Sequence, residues 1–218
     1  MADPNNIILP EYKIAGFLLA KVANTSIKTA FLRGLGITQS LAYSAPGVAK
    51  LINGDTVFQY ADTETIAGLG SDWYKFTIVR NPWARAVSIW MNKVYSPPSG
   101  EIEVGFRSVD FVQGCSFPDF VKHLVEMPID GEIHWRGQVY SLTFNGGIIP
   151  DFVGRLEDIE TDWPMIQKEC AARGLELSSL LHRNQTDHLG YAKLYTKRTK
   201  AMIAKYYKDD IKAFGYEF

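Results

Sequence analysis

Apolar positions along the chain predict strands and helices in alternation. Residues 13–20 form a nearly continuous apolar run, which is typical of a strand buried on both faces of a sheet. A short polar turn follows, and apolar residues then recur at helical spacing over residues 27–35. Residues 73–79 are a second such run, and residues 152–156 are a third. Strands that alternate with helices in this way indicate an α/β fold.

Weaker patterns predict further elements. Residues 56–60 and 101–106 have the composition of short strands, and helices are predicted over residues 117–125 and 195–213. Asn-Pro at 81–82 and Trp-Pro at 163–164 each suit the start of a helix, the second of which ends near Gly174. Residues 96–117 are rich in proline and glycine, and whether this loop covers a ligand stays open.

The composition is that of an ordinary globular protein. The chain has 218 residues, of which 46% are hydrophobic and 22% charged, so we expect a single domain over residues 1–218. The net charge of −1 argues against a general nucleic-acid-binding protein. No apolar run approaches the roughly 20 residues of a membrane span, and the first residues lack a signal-peptide pattern. Cys115 and Cys170 form no disulfide framework, so we expect reduced cysteines in a soluble cytoplasmic protein. No His, Cys and Asp cluster has metal-ligand spacing, so no metal is expected.

The first polar turn has the composition of an anion site. Lys21 supplies an ammonium group, and Thr25 and Ser26 supply hydroxyls. A turn from a strand into a helix points backbone N–H groups and the positive end of the helix dipole at one spot, which suits a phosphate or a sulfate. A turn whose polar side chains only cap the helix has the same composition, so both interpretations stand at this point.

A second polar cluster follows the second apolar run. Arg80 comes directly after residues 73–79, and the helix opened by Asn81 carries Arg85 and Ser88 outside its predicted apolar stripe. Arg80, through its planar fork, and Ser88 can then both reach one anion. The alternative is a surface ion pair for Arg80 and a helix serine without a role.

Together the two turns resemble the cofactor signatures of sulfotransferases that use 3′-phosphoadenosine 5′-phosphosulfate (PAPS). The match is to the carbohydrate branch of that family, and it extends through residues 134–157, 182–186 and 214–216. The resemblance implies that Arg80 and Ser88 hold the 3′-phosphate and that the first turn holds the 5′-phosphosulfate. The residues implied for the first turn are Lys21, Val22, Ala23, Asn24, Thr25 and Ser26. The family usually has proline before the lysine, where this chain has Ala20, a departure that affects the stiffness of the turn more than its charge.

The resemblance also implies a fold, a reaction and partners. The fold is P-loop-like, with three layers and a central, mostly parallel sheet flanked by helices. PAPS is the co-substrate, no metal is needed, and the acceptor is a hydroxyl, expected on a carbohydrate. Neither a nucleic-acid partner nor a membrane span is expected. Golgi relatives carry a membrane anchor and extra cysteines, and this sequence shows neither feature. We therefore expect a soluble cytoplasmic protein of prokaryotic or viral origin.

Sulfuryl transfer needs a cation where negative charge builds and a base for the acceptor proton. We expect Lys21 to stabilise the charge on the bridging oxygen. His134 is the candidate general base, because histidine ordinarily titrates near neutral pH. Asp62, Glu64 and Glu157 are rivals, since relatives use either a histidine or a carboxylate.

Two other functions stay open. The first is a phosphoryl-transfer enzyme of related fold that uses ATP, although the turn around Lys21 does not match the Walker A motif that such an enzyme needs. The second is a catalytically silent nucleotide-binding module, because the sequence does not settle the general base.

Overall fold

A computed structural model describes residues 5–37, 59–102, 104–107, 109–180 and 190–218. Two predictions fall partly or wholly outside these residues. Of the strand predicted over residues 56–60, only Gln59–Tyr60 is described, and this pair is in a strand. The segment 182–186 lies outside the described residues.

The described chain is built from short strands and helices. The strands are β1 (Asn6–Leu9), β2 (Ile14–Phe17), β3 (Gln59–Tyr60), β4 (Tyr74–Val79), β5 (Thr143–Phe144), β6 (Gly147–Ile148) and β7 (Phe152–Arg155). The helices are α1 (Asn24–Gly34), α2 (Thr63–Ala67), α3 (Pro82–Ile89), α4 (Val104–Arg107), α5 (Phe117–Leu124), α6 (Gln138–Leu142), α7 (Ile159–Ala171), α8 (Lys197–Tyr206) and α9 (Lys208–Phe214). The helix predicted over residues 117–125 is confirmed as α5, and α3 begins after Asn81 as predicted.

Five of the described strands form one sheet in the order β3-β1-β2-β4-β7. β2 pairs parallel with β4, and β4 pairs parallel with β7. β1 pairs antiparallel with both β2 and β3, so the sheet is mixed. The three strands predicted from apolar runs are therefore its parallel part. The fold is α/β, with helices flanking the central sheet, which confirms the predicted class.

Apolar side chains bury the centre of this sheet. Every residue of β2 and β4 is buried, which explains why their apolar runs are continuous. Phe31 of α1 stacks on Phe76 of β4 with ring centroids 5.6 Å apart, so the first helix packs on the sheet. Gly16 lets the Phe76 ring approach, because a Cβ at this position would lie 2.9 Å from that ring. β2 is shorter than predicted, since residues 18–20 stay buried without strand geometry.

The chain divides into two compact units. The first comprises Met1–Val79 and Leu142–Arg183, and it contains the five-stranded sheet with α1 and α7. The second comprises Arg80–Ser141 and Asn184–Phe218, and it contains α3, α5, α8 and α9. Each unit is made of two chain segments, so neither is a continuous stretch of sequence. The single domain expected over residues 1–218 stays a prediction.

Two predicted elements are wrong in type or in boundary. Among the described residues of 101–106 none is in a strand; the stretch leads into α4, whose Phe106 is fully buried. The helix predicted to begin at residues 163–164 begins at Ile159 instead, and Pro164 lies inside it. A proline in the second turn of a helix removes a single backbone hydrogen bond, which the helix tolerates here. Gly174, at a φ of +87°, follows the end of this helix as predicted.

The C-terminal helix predicted over residues 195–213 is two helices, α8 and α9. Tyr207 separates them, with a φ of −100° and a ψ of 31° that depart from helical values. Its buried hydroxyl donates a hydrogen bond to the Trp135 carbonyl at 2.8 Å. A tertiary contact therefore coincides with the break in the amphipathic pattern. In a similar way α3 passes into a π-helical segment, Trp90–Tyr95, where the Trp90 indole donates to the Cys115 carbonyl at 2.9 Å.

Candidate functional site

The turn from β2 into α1 contains left-handed backbone. Lys21 and Ala23 have φ values of +65° and +51°, which residues other than glycine rarely adopt. Each such residue costs on the order of 1–2 kcal/mol relative to right-handed backbone, so the surrounding structure must hold the turn in place. Backbone of this kind can turn successive N–H groups towards an anion, and it clusters at functional sites.

Asn24, the first residue of α1, holds this turn closed. Its side-chain amide donates to the Leu18 carbonyl at 2.8 Å and to Oδ1 of Asn5 at 2.7 Å. The start of the helix is thereby tied to the residue that follows β2 and to the residue that precedes β1. These hydrogen bonds give the Asn24 side chain a structural role in the shape of the turn.

The other residues of the turn differ in exposure. Val22 and Ser26 are buried, Lys21 is half-buried and Thr25 is exposed. Ala23 is the N-cap of α1 and has no side-chain acceptor, so within the described residues no N-cap side chain engages the first N–H groups of the helix. The alternative in which Thr25 and Ser26 act as the N-cap is disfavoured, because both lie inside the helix.

The second motif is built on a capped and buried helix. Oδ1 of Asn81 accepts hydrogen bonds from the N–H groups of Trp83 and Ala84 at 3.0 and 3.3 Å, which confirms Asn81 as the N-cap. Every residue of α3 is buried, including Arg85 and Ser88. Burial therefore extends beyond the predicted apolar stripe to the faces that carry Arg85 and Ser88.

Arg80 is buried, and its backbone is held at both polar groups. The residue is 5% exposed, which contradicts the alternative of a surface ion pair. Oε1 of Gln138 accepts a hydrogen bond from the Arg80 N–H at 2.9 Å, and Nε2 of Gln138 donates to the Arg80 carbonyl at 2.8 Å. Asp210 accepts in turn from the N–H groups of Gln138 and Val139, at 2.9 and 2.8 Å.

Asp210 is an acidic group inside this unit. Burial raises the pKa of its carboxyl, while hydrogen bonds from the N–H groups of Val139 and Gln138 and the nearby charge of Arg85 lower it in part. The net pKa is raised. Ionising this carboxyl in the folded protein therefore costs free energy that its partners offset only partly.

Arg85 is also buried, and its guanidinium binds backbone. Nη1 donates to the Arg136 carbonyl and Nη2 donates to the His134 carbonyl, each at 2.9 Å. The guanidinium lies 5.9 Å from the centroid of the Tyr207 ring. Arg85 thus fixes the backbone around the candidate base.

A histidine–glutamate pair lies on this segment. Nδ1 of His134 is 2.7 Å from Oε1 of Glu132, and Oε2 of Glu132 accepts from the His134 N–H at 2.7 Å. A proton assigned to Nδ1 leaves Nε2 as the acceptor of the neutral ring. Burial raises the pKa of the Glu132 carboxyl, but the hydrogen bond and charge of His134 more than compensate, so the net pKa is lowered. An acid that orients an imidazole in this way suits a histidine base.

The rival bases are less well arranged. Oδ1 of Asp62 caps α2 by accepting from the Thr65 N–H at 2.9 Å and from the Thr65 hydroxyl at 2.6 Å. These hydrogen bonds lower the pKa of Asp62, which makes its carboxylate a weaker base. Glu64 is exposed on α2, and Glu157 is exposed after β7. His134, by contrast, is a titratable side chain that a neighbouring acid orients.

The loop over residues 96–117 borders this pair. Gln113 ties the loop together through two hydrogen bonds with its backbone. The ring of Phe106 is fully buried, and its centroid lies 5.8 Å from that of the His134 ring. The loop therefore supplies one wall of the surroundings of His134, while a role in covering cofactor or acceptor stays a prediction.

A family model described as "Sulfotransferase family" matches residues 4–217. The chain belongs to the sulfotransferase family. The resemblance drawn from the two turns is thereby confirmed, and the α/β architecture with its central sheet fits the P-loop-like fold of this family. Sulfuryl transfer is the reaction of the family, so the chain is a transferase. No curated protein and no solved structure matches it significantly.

The described part of the sulfotransferase contains neither a metal-binding cluster nor a membrane-spanning helix. Within the ranges that the structure describes, no group of three or more His, Cys, Asp or Glu side chains is placed to hold a metal ion. In the same ranges, no helix combines the length and apolar character needed to cross a bilayer. The expectations of a metal-free reaction and of a cytoplasmic location stay predictions.

The predicted site residues of the sulfotransferase fall in two groups. Residues 21–26 span the turn that leaves β2 and the start of α1, in the unit with the sheet. Arg80, Ser88 and His134 belong to the other unit.

Sequence reasoning missed three polar residues around these groups. The sequence offered a signal for the role of Glu132, because an acid two positions before a candidate histidine is a natural partner for that histidine. Gln138 and Asp210 had none, since 72 positions separate them and nothing in the local pattern of either points to the other. Both were hidden because their role arises from tertiary contacts.

Replacing Asn24 tests the closure of the first turn. The variant Asn24→Ala removes the donor to Leu18 and Asn5, and we expect it to lower the free energy of unfolding by about 1–3 kcal/mol. Urea denaturation of wild type and variant measures this loss. The exposed Arg33 of the same helix supplies the control, since Arg33→Ala should stay within about 0.5 kcal/mol of wild type. Equal stability of all three proteins would show that these hydrogen bonds do not hold the turn.

The lowered pKa of Glu132 predicts that the stability of the protein depends on pH. Because its folded-state pKa lies below the unfolded value of 4.5, its stabilising contribution is present above that value and is lost as pH falls through the folded pKa. We expect wild type to exceed Glu132→Gln in free energy of unfolding by about 1 kcal/mol or more at about pH 7. This gap should narrow towards about pH 3.

Denaturation series across this pH range provide the measurement. Glu101→Gln is the control, because the side chain of Glu101 is 79% exposed and should leave little gap at any pH. A gap between wild type and Glu132→Gln that stays constant down to about pH 3 would contradict the ionic pairing with His134.

Proposed function

We propose that this sulfotransferase moves a sulfuryl group from PAPS to a hydroxyl of a carbohydrate and releases adenosine 3′,5′-bisphosphate. The observation that carries the proposal is the left-handed turn at Lys21 and Ala23, which leads from a buried parallel strand into α1. Family membership over residues 4–217 supplies the reaction class. The identity of the donor rests on the two turns and on their resemblance to PAPS signatures.

The first turn suits the 5′-phosphosulfate end of the donor. Backbone N–H groups at the start of α1 and the positive end of its dipole favour an anion, and the N-cap residue Ala23 leaves no side-chain acceptor to compete with it. Thr25 and Ser26 add hydroxyl donors on the first turn of the helix. Lys21 adds the cation. Val22 and Asn24 contribute by shaping the turn.

Arg80 and Ser88 are assigned to the 3′-phosphate. A guanidinium presents paired donors to phosphate oxygens and stays charged at any physiological pH. Burial of Arg80 strengthens its interaction with an anion, because the surroundings screen charge less than water does. Binding at this end orients the reacting sulfur at the other end of the nucleotide.

The transfer step is an in-line displacement at sulfur. A lone pair of the acceptor oxygen forms the new S–O bond as the bond between sulfur and the bridging oxygen breaks. The bond electrons remain on that oxygen, which becomes part of the 5′-phosphate of the product. Lys21 is assigned to this developing charge, which is larger in the transition state than in the ground state.

His134 is assigned to the acceptor proton. Glu132 holds Nδ1 of the ring, so Nε2 is the nitrogen that takes the proton as the acceptor oxygen attacks. Glu132 then stabilises the imidazolium that forms. A carbohydrate acceptor is proposed because residues 134–157 resemble the carbohydrate branch of the family.

Nucleotide binding tests the donor. We expect adenosine 3′,5′-bisphosphate to bind without metal and much more tightly than AMP, which lacks the 3′-phosphate. Arg80→Met keeps the volume of this buried side chain but removes its charge, so it should weaken bisphosphate binding by about ten- to a hundredfold and leave AMP binding nearly unchanged. Isothermal titration calorimetry measures both affinities.

Arg107→Met is the matched control for charge, because the Arg107 side chain is exposed and pairs with Glu101 at 3.2 Å. It should bind both nucleotides as wild type does. A wild-type protein that binds neither nucleotide, or that prefers ATP with Mg²⁺, would refute the PAPS assignment and favour a phosphoryl-transfer enzyme.

Activity tests the base. With radiolabelled PAPS and an acceptor found by screening polysaccharides, His134→Gln should lower kcat by about 10²–10⁴-fold. Its affinity for adenosine 3′,5′-bisphosphate should not change, because the base acts on the acceptor. His123→Gln is the control, since His123 bonds the Val109 carbonyl and is assigned no part in the transfer. Full activity of His134→Gln would rule out this histidine as the base.

A further inference from the structure

The side-chain amide of Gln138 brackets the peptide groups of Arg80. It accepts from the Arg80 N–H at 2.9 Å and donates to the Arg80 carbonyl at 2.8 Å. Gln138 is 0% exposed, so both hydrogen bonds are shielded from water. Two short hydrogen bonds from one planar amide fix the rotation of this backbone segment as well as its position.

Gln138 is anchored in its turn by Asp210. The carboxylate accepts from the N–H of Gln138 at 2.9 Å and from the N–H of Val139 at 2.8 Å, and it lies 3.5 Å from Nε2 of Gln138. Asp210 is 2% exposed. A single carboxylate therefore satisfies the first N–H groups of α6 and orients the amide that holds Arg80.

The hydrogen bonds from Asp210 through Gln138 to Arg80 join residues that are far apart in the sequence. An isolated helix start could be capped by a local serine or aspartate, yet here the cap comes from α9, 72 residues along the chain. The residue at the far end of the relay is the buried arginine that directly follows β4. A guanidinium recognises phosphate best when its own position is held to within a fraction of an ångström, and a fixed backbone at Arg80 contributes to that.

We infer that Gln138 and Asp210 are positioning residues that hold Arg80 for the 3′-phosphate and so set the preference for 3′-phosphorylated nucleotides. The inference rests on the proposed function, which assigns the 3′-phosphate to Arg80. It adds two residues that touch neither the nucleotide nor the reacting atoms. Their effect is exerted through the Arg80 backbone.

Paired titrations with adenosine 3′,5′-bisphosphate and AMP test this role. Gln138→Met has similar volume and removes both hydrogen bonds to Arg80. We expect it to weaken bisphosphate binding about tenfold or more, while AMP affinity changes by about twofold or less. The ratio of the two affinities is the readout, because a merely structural loss lowers both affinities together.

Gln113 provides a control at an exposed position of the same unit. Its amide also brackets backbone, accepting from the Ile102 N–H at 3.3 Å and donating to the Gly100 carbonyl at 2.9 Å. Gln113→Met should therefore lose a similar pair of hydrogen bonds without changing the ratio. Asp210→Asn is the second test variant, since it keeps the shape of the carboxylate but turns an amide towards the Gln138 N–H. Asp210→Asn should reduce the ratio of bisphosphate affinity to AMP affinity several-fold. It remains an independent test if Gln138→Met does not fold.

The outcomes separate this inference from the proposed function. A wild-type preference for the bisphosphate that survives in Gln138→Met and Asp210→Asn overturns the positioning role and leaves the PAPS assignment intact. Equal losses for both nucleotides also overturn it, because they indicate a structural effect. A wild-type protein without any preference overturns the proposed function and this inference together. A ratio that falls in both variants and not in Gln113→Met supports the inference.

Discussion

Parallel pairing of β2 with β4 is the constraint on which this sulfotransferase depends. Ile14–Phe17 run beside residues 74–77, so both strands point the same way and their carboxyl ends meet at one edge of the sheet. The buried Thr77 hydroxyl donates to the Phe17 carbonyl at 2.7 Å and reinforces the ladder there. The turn with Lys21 leaves β2 at that end.

Two buried arginines show how the second unit uses positive charge. Arg85 is surrounded by acceptors, since it binds the His134 and Arg136 carbonyls and lies near Asp210. Arg80 is fixed through its backbone by Gln138. Burying a guanidinium is costly, and for Arg85 the two carbonyl acceptors offset that cost while removing freedom that a surface arginine would keep. The guanidinium of Arg85 is thus fixed in a structural role, whereas Arg80 is fixed at its backbone.

Local patterns were sufficient where a residue's role is local. The buried strands β2, β4 and β7, the Asn81 cap and helix α5 follow from apolar runs and capping chemistry, and the polar composition of residues 21–26 marked the first turn. Prediction failed where packing decided the outcome. Tyr207 breaks an amphipathic pattern at a tertiary hydrogen bond, and Pro164 sits inside a helix that it was expected to open. The support of Arg80 by Gln138 and Asp210 is a tertiary relay, and no local pattern encodes such a contact.

If Arg80 binds the nucleotide as proposed, the carboxylate on α9 links the C-terminal helix to ligand binding. Local opening of α9 would withdraw Asp210 from residues 138–139 and release the amide that holds Arg80. A nucleotide that binds only when Arg80 is in place must therefore oppose that opening, by a free energy that grows with its concentration relative to Kd. The stability of α9 against local opening then depends on whether the nucleotide is bound, although none of its residues is assigned to the ligand. Conversely, a substitution that destabilises α9 should weaken nucleotide binding through the same linkage, although it lies away from the ligand.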